Sequence, residues 1–301
     1  MTQTVLLAGA TGMLGGRIAH HLLTTGEADL RLLVRPGGAR REQLAPLLAA
    51  GATVVPGDLT DPASLDASTG GVDVVVSAVQ GGRDVVVDGQ VALAEAAVRG
   101  GVRRYLPSDF ALDLYAAPPG EVSSYDLRRE AGLRIQGTGL EVVHVLNGAF
   151  LDLFVQPRGV LDLDDAAGTA TFWGEGTERF EATTVEDTAH YAALAALDRD
   201  LPPGKLAVAG DRLSALDMVA VHERVTGRRY RQVSRGGVTE LEALVHRVRA
   251  GDPDSPQAVV LGYLLHMLTG RAALTDLAND RYPQVRPRRY AELVEGARSA
   301  A

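Results

Sequence analysis

A glycine-rich turn near the start of the chain constrains the fold more than any other feature. Thr4 to Ala8 is a short apolar run, typical of a buried parallel strand, and glycines follow at positions 9, 12 and 15. Apolar residues at helical spacing begin at Met13. A strand, a glycine turn and a helix in this order indicate the phosphate-binding corner of a dinucleotide-binding sheet.

Each glycine has a separate task in such a corner. Gly9 allows the sharp turn out of the strand, Gly12 lets a pyrophosphate approach the backbone, and Gly15 lets the helix pack closely on the strand. The helix N-terminus offers unpaired N–H groups and a partial positive charge to the phosphates. We therefore predict cofactor contacts at the turn and the start of the helix, from Gly9, Thr11, Gly12, Met13, Leu14 and Gly15.

The residue that ends the second predicted strand, over residues 29–34, distinguishes between cofactors. It is Arg35, and Arg40 and Arg41 follow shortly after it. Sheets that bind NAD usually carry an acidic residue there, which accepts hydrogen bonds from the ribose 2′-hydroxyl. A guanidinium instead matches a 2′-phosphate, which an acid would repel. Arg35 therefore favours NADP(H) over NAD(H).

Strand-like and helix-like segments continue to alternate as far as residue 146. This alternation predicts an α/β fold of the Rossmann type, with a doubly wound parallel sheet and right-handed crossovers. Ligands of open α/β sheets bind at the carboxyl ends of the strands. Further cofactor contacts are therefore predicted at those ends, from Asp58, Leu59, Ser77, Ala78, Val79, Gln80 and Asn147.

The pattern changes in the last part of the chain. Two short strands around a polar turn at 164–165, and helices over much of 238–296, predict a smaller α+β C-terminal substrate lobe. We assign residues 1–157 to an NADP-binding Rossmann domain, to which 183–210 return. The smaller lobe is assigned residues 158–182 and 211–301.

Composition excludes several classes of protein. The net charge of −8 and the lack of a long basic run argue against a nucleic-acid partner. The chain has neither an apolar run of membrane-spanning length nor a recognisable signal peptide, so a cytoplasmic monomer or homodimer is expected. With no cysteine in the chain, disulfides and thiol catalysis are excluded. The histidine spacing predicts no metal site.

Six motifs follow one another over about the first 200 residues. They are GATGMLG (9–15), LVR (33–35), GDL (57–59), PSDF (107–110), NGAF (147–150) and VEDTA (185–189). Together they resemble the atypical short-chain dehydrogenase/reductase family of NmrA-like and isoflavone-reductase-like proteins. The resemblance implies an NADP(H)-binding domain and a smaller lobe that closes a cleft over the nicotinamide.

The chain departs from this family at one position. The resemblance implies a lysine on the helix after the fifth strand, which donates a proton and anchors the ribose. In this sequence the position falls on Arg128, followed by Arg129, and the only lysine is Lys205. An arginine keeps its proton at physiological pH, so it can hold hydroxyls or stabilise an oxyanion but is a poor general acid.

Two other side chains are candidates for proton transfer. Tyr125 lies three residues before Arg128 and four before Arg129, and a nearby cation is expected to lower the pKa of its phenol. Alternatively, Tyr125 is a surface tyrosine packed on its neighbours. Asp109 follows the fifth strand, where it can orient a donor or bind a substrate hydroxyl, or merely cap the next segment. The candidate catalytic residues are Tyr125, Arg128, Arg129 and Asp109.

Aromatic residues predict the chemistry of the substrate. If they line the cleft, the substrate is a hydrophobic, aromatic small molecule. The candidate substrate contacts are Phe110, Phe150, Phe154, Trp173, Tyr263 and His266.

The sequence thus predicts an NADPH-dependent reductase that transfers hydride to a carbonyl, an imine or a conjugated double bond. Two alternatives remain open. The missing lysine supports an NADP(H)-sensing regulatory protein without turnover. The third possibility is an isomerase or cyclase that retains NADP without net redox change.

Overall fold

The computed structural model describes residues 2–38, 41–155 and 159–299, and only the backbone of Arg41. Arg40, the side chain of Arg41 and the predicted domain boundary at 157/158 therefore lie outside the described part of the chain.

Strands and helices alternate through most of this chain. The strands are β1 (Gln3–Ala8), β2 (Ala28–Val34), β3 (Thr53–Pro56), β4 (Val74–Ser77), β5 (Arg104–Leu106), β6 (Glu141–Leu146), β7 (Ala149–Phe150), β8 (Leu161–Asp164), β9 (Thr169–Phe172), β10 (Phe180–Thr183), β11 (Gly204–Ala207), β12 (Asp211–Leu213) and β13 (Arg231–Ser234). The helices are α1 (Met13–Thr25), α2 (Arg41–Ala49), α3 (Asp66–Thr69), α4 (Gln90–Arg99), α5 (Ser123–Gln136), α6 (Val185–Leu197), α7 (Ala215–Thr226), α8 (Val238–Gly251), α9 (Pro256–Thr269) and α10 (Tyr290–Ser299).

Seven strands form the central sheet, in the order β11-β6-β5-β4-β1-β2-β3. All neighbouring pairs are parallel. The chain builds outward from β1 in one direction and then, from β4, in the other, so the strand order reverses between β1 and β4. This reversal leaves a crevice at the carboxyl ends of the two strands. The predicted doubly wound parallel sheet is confirmed.

Both faces of the sheet are covered, which explains why its strands are apolar throughout. Val5 and Leu7 belong to the hydrophobic core on one face, and Leu6 and Ala8 to the core on the other. Successive side chains of a strand point to opposite faces, so a strand buried on both sides needs apolar residues at every position.

Apart from the core that the central sheet forms with its flanking helices, a second hydrophobic core lies in the C-terminal part of the molecule. Two small sheets, β12-β10-β7 and β13-β9-β8, pack there with helices of the last third of the chain. Leu112 and Leu114, which follow β5, also belong to this core, whereas Ala189 and Leu206 pack with the central sheet. The predicted smaller α+β lobe is thus present, and the chain crosses between the two cores several times.

Three strands were not expected from the sequence, namely β7, β10 and β12. They are two to four residues long and pair with one another across about 30 residues or more of chain. Segments this short carry too little periodicity to predict a strand.

Within the described residues, no helix combines the length and hydropathy that crossing a membrane requires.

Candidate cofactor and substrate site

A pocket of about 380 Å³ opens at the crevice between β1 and β4. Its volume lies within the usual range of small-molecule sites. Most of the predicted cofactor contacts line it. These are Gly9, Thr11, Gly12, Met13, Leu14, Arg35, Asp58, Leu59, Ala78, Val79 and Gln80.

The glycine turn has the shape that the sequence predicts. Gly9 has a φ of +92°, and a Cβ there would lie 2.4 Å from the carbonyl oxygen of Ala78. A Cβ on Gly15 would lie 2.1 Å from the carbonyl oxygen of Gly9. Gly15 therefore permits the close approach of helix and strand and does not itself line the pocket. Gly12 is the N-cap of α1 and has no side chain, so the helix N-terminus is open to a phosphate.

Two charged side chains line the pocket just beyond the carboxyl ends of β2 and β3. Arg35 follows β2 and lines the pocket directly. Asp58 accepts two hydrogen bonds at Oδ1 from Thr60, one from the backbone N–H at 2.9 Å and one from the hydroxyl at 2.8 Å. These bonds, with the charge of Arg35, hold the pKa of Asp58 below its usual value. Asp58 is therefore an oriented carboxylate at neutral pH.

Besides Gly15, two predicted cofactor contacts do not line the pocket, contrary to expectation. Ser77 is the last residue of β4 and is fully buried. Asn147 is also fully buried, and its backbone N–H donates to the carbonyl of Ala111. Both side chains lie within the protein interior, because each sits at the end of a strand that is covered on both faces.

Arg128, on α5, lines the same pocket. Its Nε donates to the carbonyl of Ser108 at 3.0 Å, and its Nη1 donates to the carbonyl of Ser124 at 3.0 Å. Phe110 and Phe150 also line the pocket and are half-buried. A fixed guanidinium and two aromatic rings therefore line one pocket, which suits an aromatic ligand that develops negative charge.

Arg129 holds the segment between β5 and α5 in place. Its guanidinium donates to the carbonyls of Leu114 and Ala117 and pairs with Asp126 at 3.2 Å. It does not line the pocket, so the prediction of a catalytic Arg129 finds no support in the geometry. The two adjacent arginines differ because successive residues of a helix point about 100° apart.

Tyr125 is buried in the second core and does not line the pocket. Its ring packs against Tyr263, with centroids 4.6 Å apart, and against His266, with centroids 5.6 Å apart. Burial raises the pKa of the Tyr125 phenol well above its usual value, Tyr263 adds to the rise, and Arg128 only partly opposes it. The predicted lowering of this pKa is therefore wrong, since loss of solvation outweighs the nearby cation.

Asp109 belongs to a buried cluster that was not predicted. Its Oδ2 accepts a hydrogen bond from the Tyr115 hydroxyl at 2.6 Å and lies 2.6 Å from Nδ1 of His144. The Tyr115 hydroxyl is also 2.7 Å from that nitrogen. Burial and the Asp109 charge raise the pKa of Tyr115. Asp109 thus fastens the segment after β5 to β6, and it does not line the pocket.

The other four predicted substrate contacts do not line the pocket, and Tyr263 is one of them, since it packs against the second core. Phe154 packs in the second core against Phe180, with centroids 5.6 Å apart, and Trp173 packs against the same core. His266 is buried, and its Nε2 lies 2.7 Å from Oε2 of Glu121.

Sequence reasoning also missed some residues that line the pocket. Among them, Ser108 has the firmest anchors, because its hydroxyl donates to the carbonyl of Val79 and its N–H donates to Gln90. The PSDF motif was the available signal for it. Four others lie within the quoted motifs GATGMLG, LVR and GDL, namely Ala10, Leu33, Val34 and Gly57. The rest carried no signal of their own: Ala8, Gly38, Thr60 and Val85.

Comparisons with known proteins agree with this architecture. A family model described as the NmrA-like family matches residues 1–245. Pinoresinol reductase 1 of Arabidopsis thaliana is 28% identical over an alignment that covers 95% of this chain and 94% of the relative.

Solved structures show the same fold. AtPrR2 with NADP+ and (+)pinoresinol is 24% identical and has a TM-score of 0.82, with 98% of both chains covered. The binary complex of leucoanthocyanidin reductase and NADPH from Vitis vinifera is 21% identical and also has a TM-score of 0.82, with 97% of this chain and 98% of that chain covered.

Proposed function

Because this chain belongs to the NmrA-like family, as its motifs predicted, we propose that it is an NADPH-dependent reductase of hydrophobic aromatic small molecules. The reaction is hydride transfer to a carbonyl, an imine or a conjugated double bond. One observation carries the proposal: a single pocket joins the glycine turn and Arg35 to a guanidinium and two aromatic rings. The reductase activities named for the relatives support it.

The glycine turn and Arg35 fit the phosphates of a dinucleotide. Any side chain at Gly9 would collide with the backbone of β4, and Gly12 leaves the start of α1 open. Arg35 is exposed at the pocket edge, where its guanidinium can bind a 2′-phosphate through two parallel hydrogen bonds. When bound here, NADPH supplies the hydride.

Arg128 and the two aromatic rings fit a substrate on which negative charge develops during reduction. Two carbonyls hold the Arg128 guanidinium in place, so it needs no reorganisation to stabilise negative charge on a substrate oxygen. Because arginine does not release its proton, Arg128 instead orients a water molecule that protonates the product. Phe110 and Phe150 pack against the aromatic part of the substrate and exclude water from it.

A calorimetric titration with NADPH and NADH tests the cofactor assignment. In the wild type, NADPH should bind at least about tenfold more tightly than NADH, since a charge-assisted contact contributes about 1.5–3 kcal/mol. Arg35→Ala should remove this preference and leave NADH binding nearly unchanged. Arg31→Ala is the matched control, because Arg31 lies on the same strand and donates to the carbonyl of Gly70. Equal losses for both cofactors in Arg35→Ala would refute the assignment.

Turnover distinguishes the reductase from a sensor. NADPH oxidation should be measured with a panel of aromatic ketones, imines and conjugated enones. Oxidation that depends on one of these substrates supports the reductase. Tight NADPH binding without oxidation across the panel would favour the NADP(H)-sensing alternative, which the absence of a lysine at position 128 supports.

A further inference from the structure

A buried glutamine, Gln90, is the first residue of α4. Both ends of its side-chain amide are hydrogen-bonded: Nε2 donates to the carbonyl of Val86 at 2.7 Å, and Oε1 accepts from the N–H of Ser108 at 2.9 Å. The other buried residues of α4 are all apolar, namely Val91, Leu93, Ala94, Ala96 and Ala97. Burial of a polar group is costly unless the group is paired, so this amide indicates a specific contact.

The backbone that precedes Gln90 packs against the pocket. Asp84–Gly89 form a π-helical turn, a rare conformation that is frequent at functional sites. Val85 of this turn lines the pocket. A Cβ on Gly89 would lie 2.8 Å from the Cβ of Leu59, another residue of the pocket. Gln90 therefore follows directly on a segment whose position is set by the pocket wall.

Ser108 connects Gln90 with Arg128. Its N–H donates to Gln90, its hydroxyl donates to the carbonyl of Val79 at 2.8 Å, and its own carbonyl accepts from Nε of Arg128 at 3.0 Å. The guanidinium also donates to the carbonyl of Ser124, four residues earlier on the same helix. Among the described hydrogen bonds, the one to Ser108 therefore ties Arg128 to a part of the chain outside α5.

We propose that Gln90 is a positioning residue of the reductase: by holding Ser108 in place, it fixes the Arg128 guanidinium where negative charge develops on the substrate. The chemical part of this inference rests on the proposed function. Gln90 does not line the pocket, so it acts through Ser108 rather than on the cofactor or the substrate. A group that stabilises a developing charge must be in position beforehand, and a displacement of about 1 Å can lower the rate about 100-fold.

Hydrogen exchange at arginine side chains tests this series of contacts without turnover. In the NADP+-loaded protein, ¹⁵N NMR measures the exchange rate of each Nε–H, and Arg128→Lys identifies the Arg128 signal. Gln90→Met keeps a straight side chain of similar size but cannot accept from Ser108. The Nε–H of Arg128 should then exchange about tenfold faster, the effect of one hydrogen bond. Gln90→Leu carries the same prediction if Gln90→Met does not fold.

Three controls separate the positioning of Arg128 from a general loss of stability. Nε of Arg129 donates to the carbonyl of Leu114 at 2.9 Å, and its exchange rate should not change in Gln90→Met. Tyr105→Phe removes a buried hydroxyl that donates to the backbone carbonyl of Gln90, and it should leave the Arg128 rate unchanged. In Gln90→Glu, burial favours the uncharged carboxyl, whose O–H and C=O replace the two amide contacts, so the wild-type rate should return.

Three results would overturn the proposal. An unchanged Arg128 exchange rate in folded Gln90→Met would show that Gln90 does not hold the guanidinium, and equal acceleration at Arg128 and Arg129 would show that the substitution merely loosens α5. With a substrate that the protein reduces, Gln90→Met should lower kcat about tenfold and change KM by less than about twofold, and an unchanged kcat is the third such result. The exchange measurement does not depend on turnover, so a failure of the proposed function would appear only as a lack of substrate-dependent NADPH oxidation.

Discussion

Single side chains decide the chemistry of the pocket, and Arg128 is the clearest case. The resemblance places a proton-donating lysine at this position, whereas the chain has an arginine that donates to two backbone carbonyls. Its planar guanidinium suits such fixed geometry better than a flexible ammonium would. The sequence could predict this substitution and its consequence for proton transfer. It could not predict that Arg128 faces the pocket while Arg129 faces the second core.

Substitution of Arg128 should separate charge stabilisation from binding. Arg128→Gln should lower kcat/KM about 100-fold, the usual loss when one electrostatic contact to a developing oxyanion is removed. Arg128→Lys should recover part of that loss, because it restores the positive charge. NADPH affinity, measured in parallel, should change less than turnover. A variant Arg128→Gln with wild-type kcat/KM would remove Arg128 from the mechanism.

Asp109 should act on stability more than on cofactor binding. It is fully buried, accepts a hydrogen bond from Tyr115 and does not line the pocket. Asp109→Asn places an amide where a charged acceptor stood, so the free energy of unfolding should fall by about 1–3 kcal/mol in urea. Asp66→Asn is the comparison, since Asp66 and its partner Arg99 are both more than half exposed and the loss of this ion pair should cost less. Loss of NADPH binding in folded Asp109→Asn would contradict this interpretation.

At the scale of elements, the predictable part of the fold was the part with a local signal. The strands of the central sheet are continuous apolar runs, and a glycine turn marks the first of them. By contrast, β10 (Phe180–Thr183) contains a buried glutamate, Glu181, which pairs with Arg212 of β12. The Glu181 carboxylate also accepts a hydrogen bond from the backbone N–H of Leu274. A buried carboxylate needs such partners, and they are visible only in the folded structure.

The contact between β1 and α1 makes Gly15 intolerant of substitution. In Gly15→Ala the new methyl group would lie 2.1 Å from the backbone carbonyl of Gly9, so the helix must move away from the strand. Overpacking of this kind costs about 1–3 kcal/mol, and NADPH binding should weaken with it, because the start of α1 faces the phosphates. Gly296→Ala is the matched control: its methyl group would meet no atom within 4 Å. That control should leave urea unfolding and NADPH titration unchanged or slightly improve stability.

At the scale of the whole molecule, burial explains which of the predicted site residues do not line the pocket. Sequence spacing placed Tyr125 and His266 on helix faces, but only the packing of α5 against α9 shows that both belong to the second core. The cofactor half of the site follows β1 directly and was predicted from adjacent residues. The substrate half depends on contacts between residues far apart in sequence, which one sequence does not reveal.

Buried histidines should make the whole molecule unstable towards mild acid. Burial lowers the pKa of His190, His222 and His266, with His21 adding to the effect at His190. Below about pH 6.5 the unfolded chain therefore binds protons that the folded chain does not, and stability falls as pH falls. The carboxylates with lowered pKa values, such as Asp198, contribute only at lower pH, near about 4.

Urea unfolding at several pH values between 7 and 5 tests whether stability falls as the pH falls. The free energy of unfolding should fall throughout this range, and His222→Gln should flatten the dependence, because it removes one of the three groups. His222 donates from Nε2 to the Tyr290 hydroxyl at 2.8 Å, a bond that a glutamine amide can replace. His246→Gln, which changes an exposed histidine, is the matched control and should keep the wild-type slope. A stability that stays constant down to pH 5 would mean that the three histidines bind protons in the folded protein as readily as in the unfolded chain, which would contradict the lowered pKa values.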